Sequence, residues 1–464
     1  MVNDLVSRLL ADALANLAHE FRELPHRNNA NSAQEMQQLT EMRQVLSETA
    51  HKLKDNYPYF HPLYAGQMLK PPHPVAHAAY ALAMAINPNN HARDGGRASS
   101  EMELEVVRDL AAIFDWPEHL GHLTSGGTFA NLEALWVAGQ QRPGKCIVGS
   151  TQAHYTHPRI SSVLKLDYRG IEADARGRMD LNQLEDELRT GDVGTVVATM
   201  GTTAIGAVDP LDEIVKLRDR YGFRIHADAA YGGYFRLIRD QLGESARRAY
   251  QAMETVDSVV LDPHKHGLQP YGCGSVLFRD PSVGQLYKHD SPYTYFTSTE
   301  LHLGEISLEC SRAGASAVAL WATHRLLAPV AGGAFAHGLS QGRRAALELH
   351  RRIAASELFT GFAAGEPDLD IVVWQMAAAS AGQASQRARS CFAAAATRDL
   401  HLALVQLPHS WFMPVAAKPS APATTATCLR SVLMKPEHAE WLDAIWDRLE
   451  SAARQSVAEE AGGE

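Results

Sequence analysis

Asp262-Pro263-His264-Lys265-His266-Gly267 follows Ser258-Val259-Val260-Leu261, an apolar run that reads as a buried strand. A lysine is thus delivered to the end of a sheet strand with a histidine on each side. Lysine is seldom buried without a partner or a task. An amine partly withdrawn from water loses pKa, becomes nucleophilic and can hold an aldehyde as a Schiff base. Taken alone, Lys265 reads better as a surface lysine at a strand end, so its functional reading turns on a second stretch.

Phe223-Arg224-Ile225-His226-Ala227-Asp228 looks like another strand that ends in a charge, and Ala229-Ala230-Tyr231-Gly232-Gly233 follows it. Pyridoxal phosphate needs a carboxylate against its pyridine nitrogen, because the protonated ring is the electron sink for carbanion chemistry. Asp228 is the candidate carboxylate, and Ala230 and its small neighbours let a flat ring approach the backbone. Upstream, Leu123-Thr124-Ser125-Gly126-Gly127-Thr128 precedes a helix expected from Phe129 to about Gly139. Free N–H groups and the positive dipole end at such a start suit a phosphate, although the same residues also make a plain turn and cap.

HADAAYGG followed by DPHKHG resembles the group II pyridoxal-phosphate-dependent amino-acid decarboxylases, the family of the aromatic-amino-acid, glutamate, histidine and tyrosine decarboxylases. By order of motifs the resemblance runs from about His61 to the C-terminus, and it is most specific between Thr124 and Gly267. It implies pyridoxal-phosphate fold type I, the aspartate aminotransferase-like α/β fold. It also implies that Lys265 carries the cofactor, that Asp228 holds the pyridine nitrogen and that His154 stacks on the ring. Thr203 is placed near the phenolic oxygen or the substrate, and Gly126, Gly127, Thr128, Asp262 and His264 around the phosphate. A loop crossing to the partner's site offers Tyr293 or Tyr295 as the acid that reprotonates the α-carbon, and neither is preferred. The segment around Phe60, His61 and Tyr64 would line the substrate pocket. Asp262, where many members carry asparagine, and His266 depart from the family pattern.

The chain of 464 residues, 45% hydrophobic and 21% charged, is ordinary for a soluble globular protein of two to three domains. A net charge of −10 argues against a nucleic acid or an anionic membrane surface as partner. No apolar run is long enough to span a bilayer, and the N-terminus lacks a signal-peptide pattern, so a cytoplasmic location is expected. Five scattered cysteines without CxxC spacing read as reduced thiols and point to no metal site.

The expected division is 1–75, a helical segment and substrate loop; 76–325, a cofactor domain; and 326–464, a small C-terminal α+β domain. Strand and helix alternate through Phe278 as a mostly parallel sheet sandwiched by helices. Asp209 is expected to cap a helix opened by Pro210 and closed by Gly222, and a long helix to run from about Ala315. In the small domain Arg430 is the candidate to grip a substrate carboxylate, because a guanidinium binds one bidentately. The N-terminal helices, by the resemblance, wrap the partner of a homodimer with shared active sites.

The expected activity is decarboxylation of an L-amino acid to its amine and CO2. An aminotransferase or carbon–carbon lyase on the same fold is the alternative, since cofactor residues do not choose the bond that breaks. A catalytically silent cofactor-binding protein is a third reading. Phe60 and Tyr64 suggest an aromatic substrate, whereas Arg93, Arg97 and Arg312 suggest an acidic one.

Overall fold

Apolar runs alternating with amphipathic helices assemble the larger of two sheets in this computed structural model, which describes residues 2–20, 32–288, 303–413 and 424–462. Its strands are β1 (Leu120–Thr124), β2 (Cys146–Ser150), β3 (Tyr168–Ile171), β4 (Val193–Thr199), β5 (Arg224–Asp228), β6 (Ser258–Leu261) and β7 (Gly274–Phe278). They lie in the order β1-β7-β6-β5-β4-β2-β3. Strands β2 to β6 pair in parallel, while β7 runs antiparallel to both β1 and β6. Helices cover both faces, which is why β6 is apolar without alternation and why β5, although Arg224, His226 and Asp228 alternate with Ile225 and Ala227, is buried almost throughout.

Register then fixes the site. Thr199 lies opposite Asp228, and Asp228 opposite Val260. Strands β4, β5 and β6 therefore end on one edge, where an open α/β sheet binds its ligand.

The second sheet, β10-β11-β9-β8, is fully antiparallel and comprises β8 (Phe359–Gly361), β9 (Ile371–Met376), β10 (Ala403–Pro408) and β11 (Thr425–Val432). Trp374, Leu429, Leu442 and Ile445 belong to the core between it and its helices. The N-terminal helices are Val2–Glu20 and Ser32–Leu53, and residues 35–53 of the second are exposed on every side.

Three local expectations need correction. The helix from Ala315 stops at Leu326, and a separate one runs Ala334–Ala355, because Pro329 and the pair Gly332-Gly333 interrupt the pattern between them. Ser99 and Ser100, residue types that favour a helix cap, are instead buried inside the first turn of the helix Arg97–Ala112. Asp209 is also no cap. It is fully buried, its carboxylate accepts from the Met179 and Thr199 amides, and burial pushes its pKa up to about 6. Gly222 does close the helix Leu211–Tyr221, with a φ of 73° that favours glycine.

Candidate active site

A cavity of about 490 Å³ opens at that sheet edge, and Gly126, Gly127, Thr128, His154, Thr203, Asp228, Ala230, Asp262, His264 and Lys265 all line it. Ten residues spread over 140 positions of chain thus meet in one place.

Asp228 sits at the last position of β5 and is 5% exposed. His157 Nε2 lies 2.7 Å from its Oδ2, the Asn131 amide donates to the same oxygen at 3.4 Å, and Ala230 N–H donates to Oδ1 at 3.2 Å. Burial alone would raise this carboxyl. The His157 bond and the charges of His157, His226 and Lys265 outweigh it and hold Asp228 well below the usual carboxylate range. Behind it His226, bonded to Ser258 and to Asn131 at 2.8 Å each, is pushed down to about 3, chiefly by burial.

Lys265 points into the same cavity. Burial opposes its charge, but Asp262 Oδ2 lies 3.0 Å from Nζ and lifts its pKa above the usual lysine value. The lowered amine expected of a desolvated lysine is therefore reversed by its neighbour three residues earlier. The Asp262 carboxylate faces the amine and the backbone of Gly127, so its geometry serves a cation and not the phosphate it was expected to anchor. His264 shares its Nδ1 with the Cys273 carbonyl at 2.9 Å, and its pKa is lowered, by burial first. A neutral ring in that arrangement has no proton on Nε2, so a phosphate bond from His264 requires its protonation.

The helix Gly127–Gln141 aims its N-terminus at the cavity. Gly126 adopts φ 156°, and a Cβ at Gly127 would lie 2.6 Å from Asp262 Oδ2. The close approach selects glycine at Gly127, and the positive φ favours it at Gly126. His154 is held by Thr156 Oγ1 at 2.8 Å and leans on the Tyr155 ring, with centroids 4.5 Å apart.

These parts fit pyridoxal phosphate. The cavity holds an amine, a carboxylate kept ionised by buried donors, an imidazole at its wall and first-turn amides without intrahelical acceptors.

The expected substrate contacts fall elsewhere. Phe60 is 70% exposed, His61 packs edge-on against Trp441, and Tyr64 is buried among Tyr57, Tyr59 and His401. None of them lines the cavity. Arg430 donates to the carbonyls of Thr203, Ala204 and Gly66, and so ties β11 to the loop that carries Thr203. Those carbonyls, and no carboxylate, occupy its fork. Arg93 and Arg312 are likewise engaged, by Glu101 at 2.7 Å and Glu103 at 2.8 Å. Tyr293 and Tyr295 lie outside the described residues. Sequence reasoning missed His157 and Asn131, and the available signal was His154-x-x-His157, which returns a second imidazole after about one helical turn.

Residues 21–376 match the family described as the pyridoxal-dependent decarboxylase conserved domain. An L-tyrosine decarboxylase of Enterococcus faecium is 29% identical, aligned over 62% of this chain and 63% of the relative. A probable L-tyrosine/L-aspartate decarboxylase of Methanothermobacter thermautotrophicus is 30% identical, over 55% of this chain and 69% of the relative. The chain thus spans about 63% of the length of the first of these curated relatives. In fold it is similar to mouse CSAD, with a TM-score of 0.77 at 21% identity over 97% of this chain and 98% of the other. It is also similar to Oryza sativa TDC, solved with PLP and tryptamine, at 0.74 and 17% over 95% and 91%.

Proposed function

The chain belongs to the pyridoxal-dependent decarboxylase family, and from that premise we propose that it removes the α-carboxyl group of an L-amino acid as CO2 and releases the amine. The observation that carries this reading is that Lys265 and the buried Asp228, held by His157 at 2.7 Å, line one cavity. When bound, pyridoxal phosphate supplies an aldehyde for an amine and a protonated ring that takes up the electron pair left by departing CO2.

The chain's own residues do the rest. Asp228, a weak base because His157 occupies Oδ2, would hold the pyridine nitrogen and leave its proton in place. The Gly127 and Thr128 amides at the helix start would hold the phosphate. His154, at the cavity wall, would cover the cofactor ring and exclude water from it. Lys265 carries its proton at Nζ against Asp262, so a proton must leave that pair before the amine can act as a nucleophile. Arg430 holds the Thr203 loop in place through backbone carbonyls.

The test mixes the cofactor-loaded protein with a panel of L-amino acids, beginning with tyrosine and aspartate, and follows CO2 and amine together. Matched CO2 and amine, abolished by Lys265→Ala, is the expected result. Keto acid without CO2 would move the chemistry to transamination.

A further inference from the structure

A second cavity, of about 230 Å³, has Lys70, His73, His266, Lys435 and Glu437 on its wall. His266 follows Lys265 in the chain and lines this cavity, not the first. Leu268, Phe335 and Leu339 form an apolar side. We propose that this cavity binds a small organic carboxylate, gripped by the Lys70 and Lys435 amines, with its hydrocarbon part against Leu268, Phe335 and Leu339.

Two amines share this wall, and carbonyls are what they bond. Lys435 is 2% exposed; its Nζ donates to the Tyr64 carbonyl and lies 5.2 Å over the Tyr64 ring. Lys70 Nζ donates to the Met434 carbonyl at 3.4 Å. An ammonium has three N–H groups, so each lysine keeps donors to spare. His266 is 1% exposed, and neither of its ring nitrogens makes a hydrogen bond among the described residues, although Nε2 stands 3.4 Å from Asp370 Oδ2. Further charges facing the pair are Asp370, felt by Lys70, and Glu437, felt by both lysines and exposed at the cavity edge.

Burial lowers Lys70 to about 8 and Lys435 to about 7, where Lys70 adds repulsion. A carboxylate between them would offset that cost, because a buried charge is tolerated when paired and hydrogen-bonded.

The experiment is calorimetric titration of the cofactor-loaded protein at pH 7 with butyrate, and with neutral butyramide as control. Saturable heat with butyrate alone is expected. Lys70→Met or Lys435→Met should weaken it about tenfold or more, the value of one charge-assisted hydrogen bond. Glu437→Gln, at an exposed position, should tighten it by removing the competing charge. Equal binding of butyramide or the absence of saturable heat would overturn the proposal. So would butyrate binding unchanged in Lys70→Met and Glu437→Gln, which would place the ligand in the substrate site.

Discussion

Replacing His157 by leucine removes the shortest bond that Asp228 makes, 2.7 Å between side chains that are 0% and 6% exposed. A hydrogen bond to a charged group contributes about 1.5–3 kcal/mol. At about 1.36 kcal/mol per pKa unit, its loss raises the Asp228 carboxyl by about 1–2 units. A more basic Asp228 would compete for the proton of the pyridine nitrogen it holds, and the electron sink the cofactor supplies would weaken. If the whole difference reaches the barrier, kcat falls by about 10- to 150-fold. KM should stay near wild type, since His157 is fully buried on the far side of Asp228. The assay is steady-state CO2 release on cofactor-saturated protein, with cofactor absorbance followed against pH. His157→Gln, which keeps an N–H donor, should recover part of the loss. A folded, loaded His157→Leu with kcat within about twofold of wild type would refute the reasoning.

Asp262→Asn removes the carboxylate that keeps Lys265 charged, so cofactor uptake at neutral pH should quicken, and its pH dependence should shift to lower pH when followed by absorbance. Gly127→Ala puts a Cβ 2.6 Å from Asp262 Oδ2 and should weaken cofactor affinity, measured by equilibrium dialysis, with little change in melting temperature. Arg430→Met strands the carbonyls of Thr203, Ala204 and Gly66; at about 1–3 kcal/mol for an unsatisfied buried group, chemical denaturation should show a loss of at least that size. His226 and His438 are each lowered to about 3, first by burial, so the unfolded chain binds protons there that the folded chain does not. Their contribution is complete above the unfolded histidine pKa of about 6.5 and is lost as pH falls toward 3. Melting temperature should therefore drop between pH 7 and pH 5, less steeply in His226→Asn.

The strands that carry the site were legible because each is a short stretch with a largely apolar centre that ends in a conspicuous charge followed by small residues or proline. Val259-Val260-Leu261 before Asp262 and Ile225-His226-Ala227 before Asp228 need no partner to be read as buried strands. Glycines at 126 and 127 and Gly222 were legible for the same reason, since backbone conformation and close approach select glycine locally.

What the chain's linear order withheld are contacts between distant residues. Asp209 reads as a helix cap until the fold brings the Met179 and Thr199 amides to its carboxylate. Arg430 reads as a carboxylate grip until three carbonyls from two other segments fill its fork. Lys265 lies three residues from Asp262, so their pairing was within reach of the sequence. The ionised state of Asp228 was not, because it depends on Asn131 and His157, 97 and 71 positions away. Sequence alone therefore determined which residues end the strands and face one sheet edge. Tertiary structure decided their charge states and partners, because desolvation and hydrogen bonding act through space and are set only when distant segments pack.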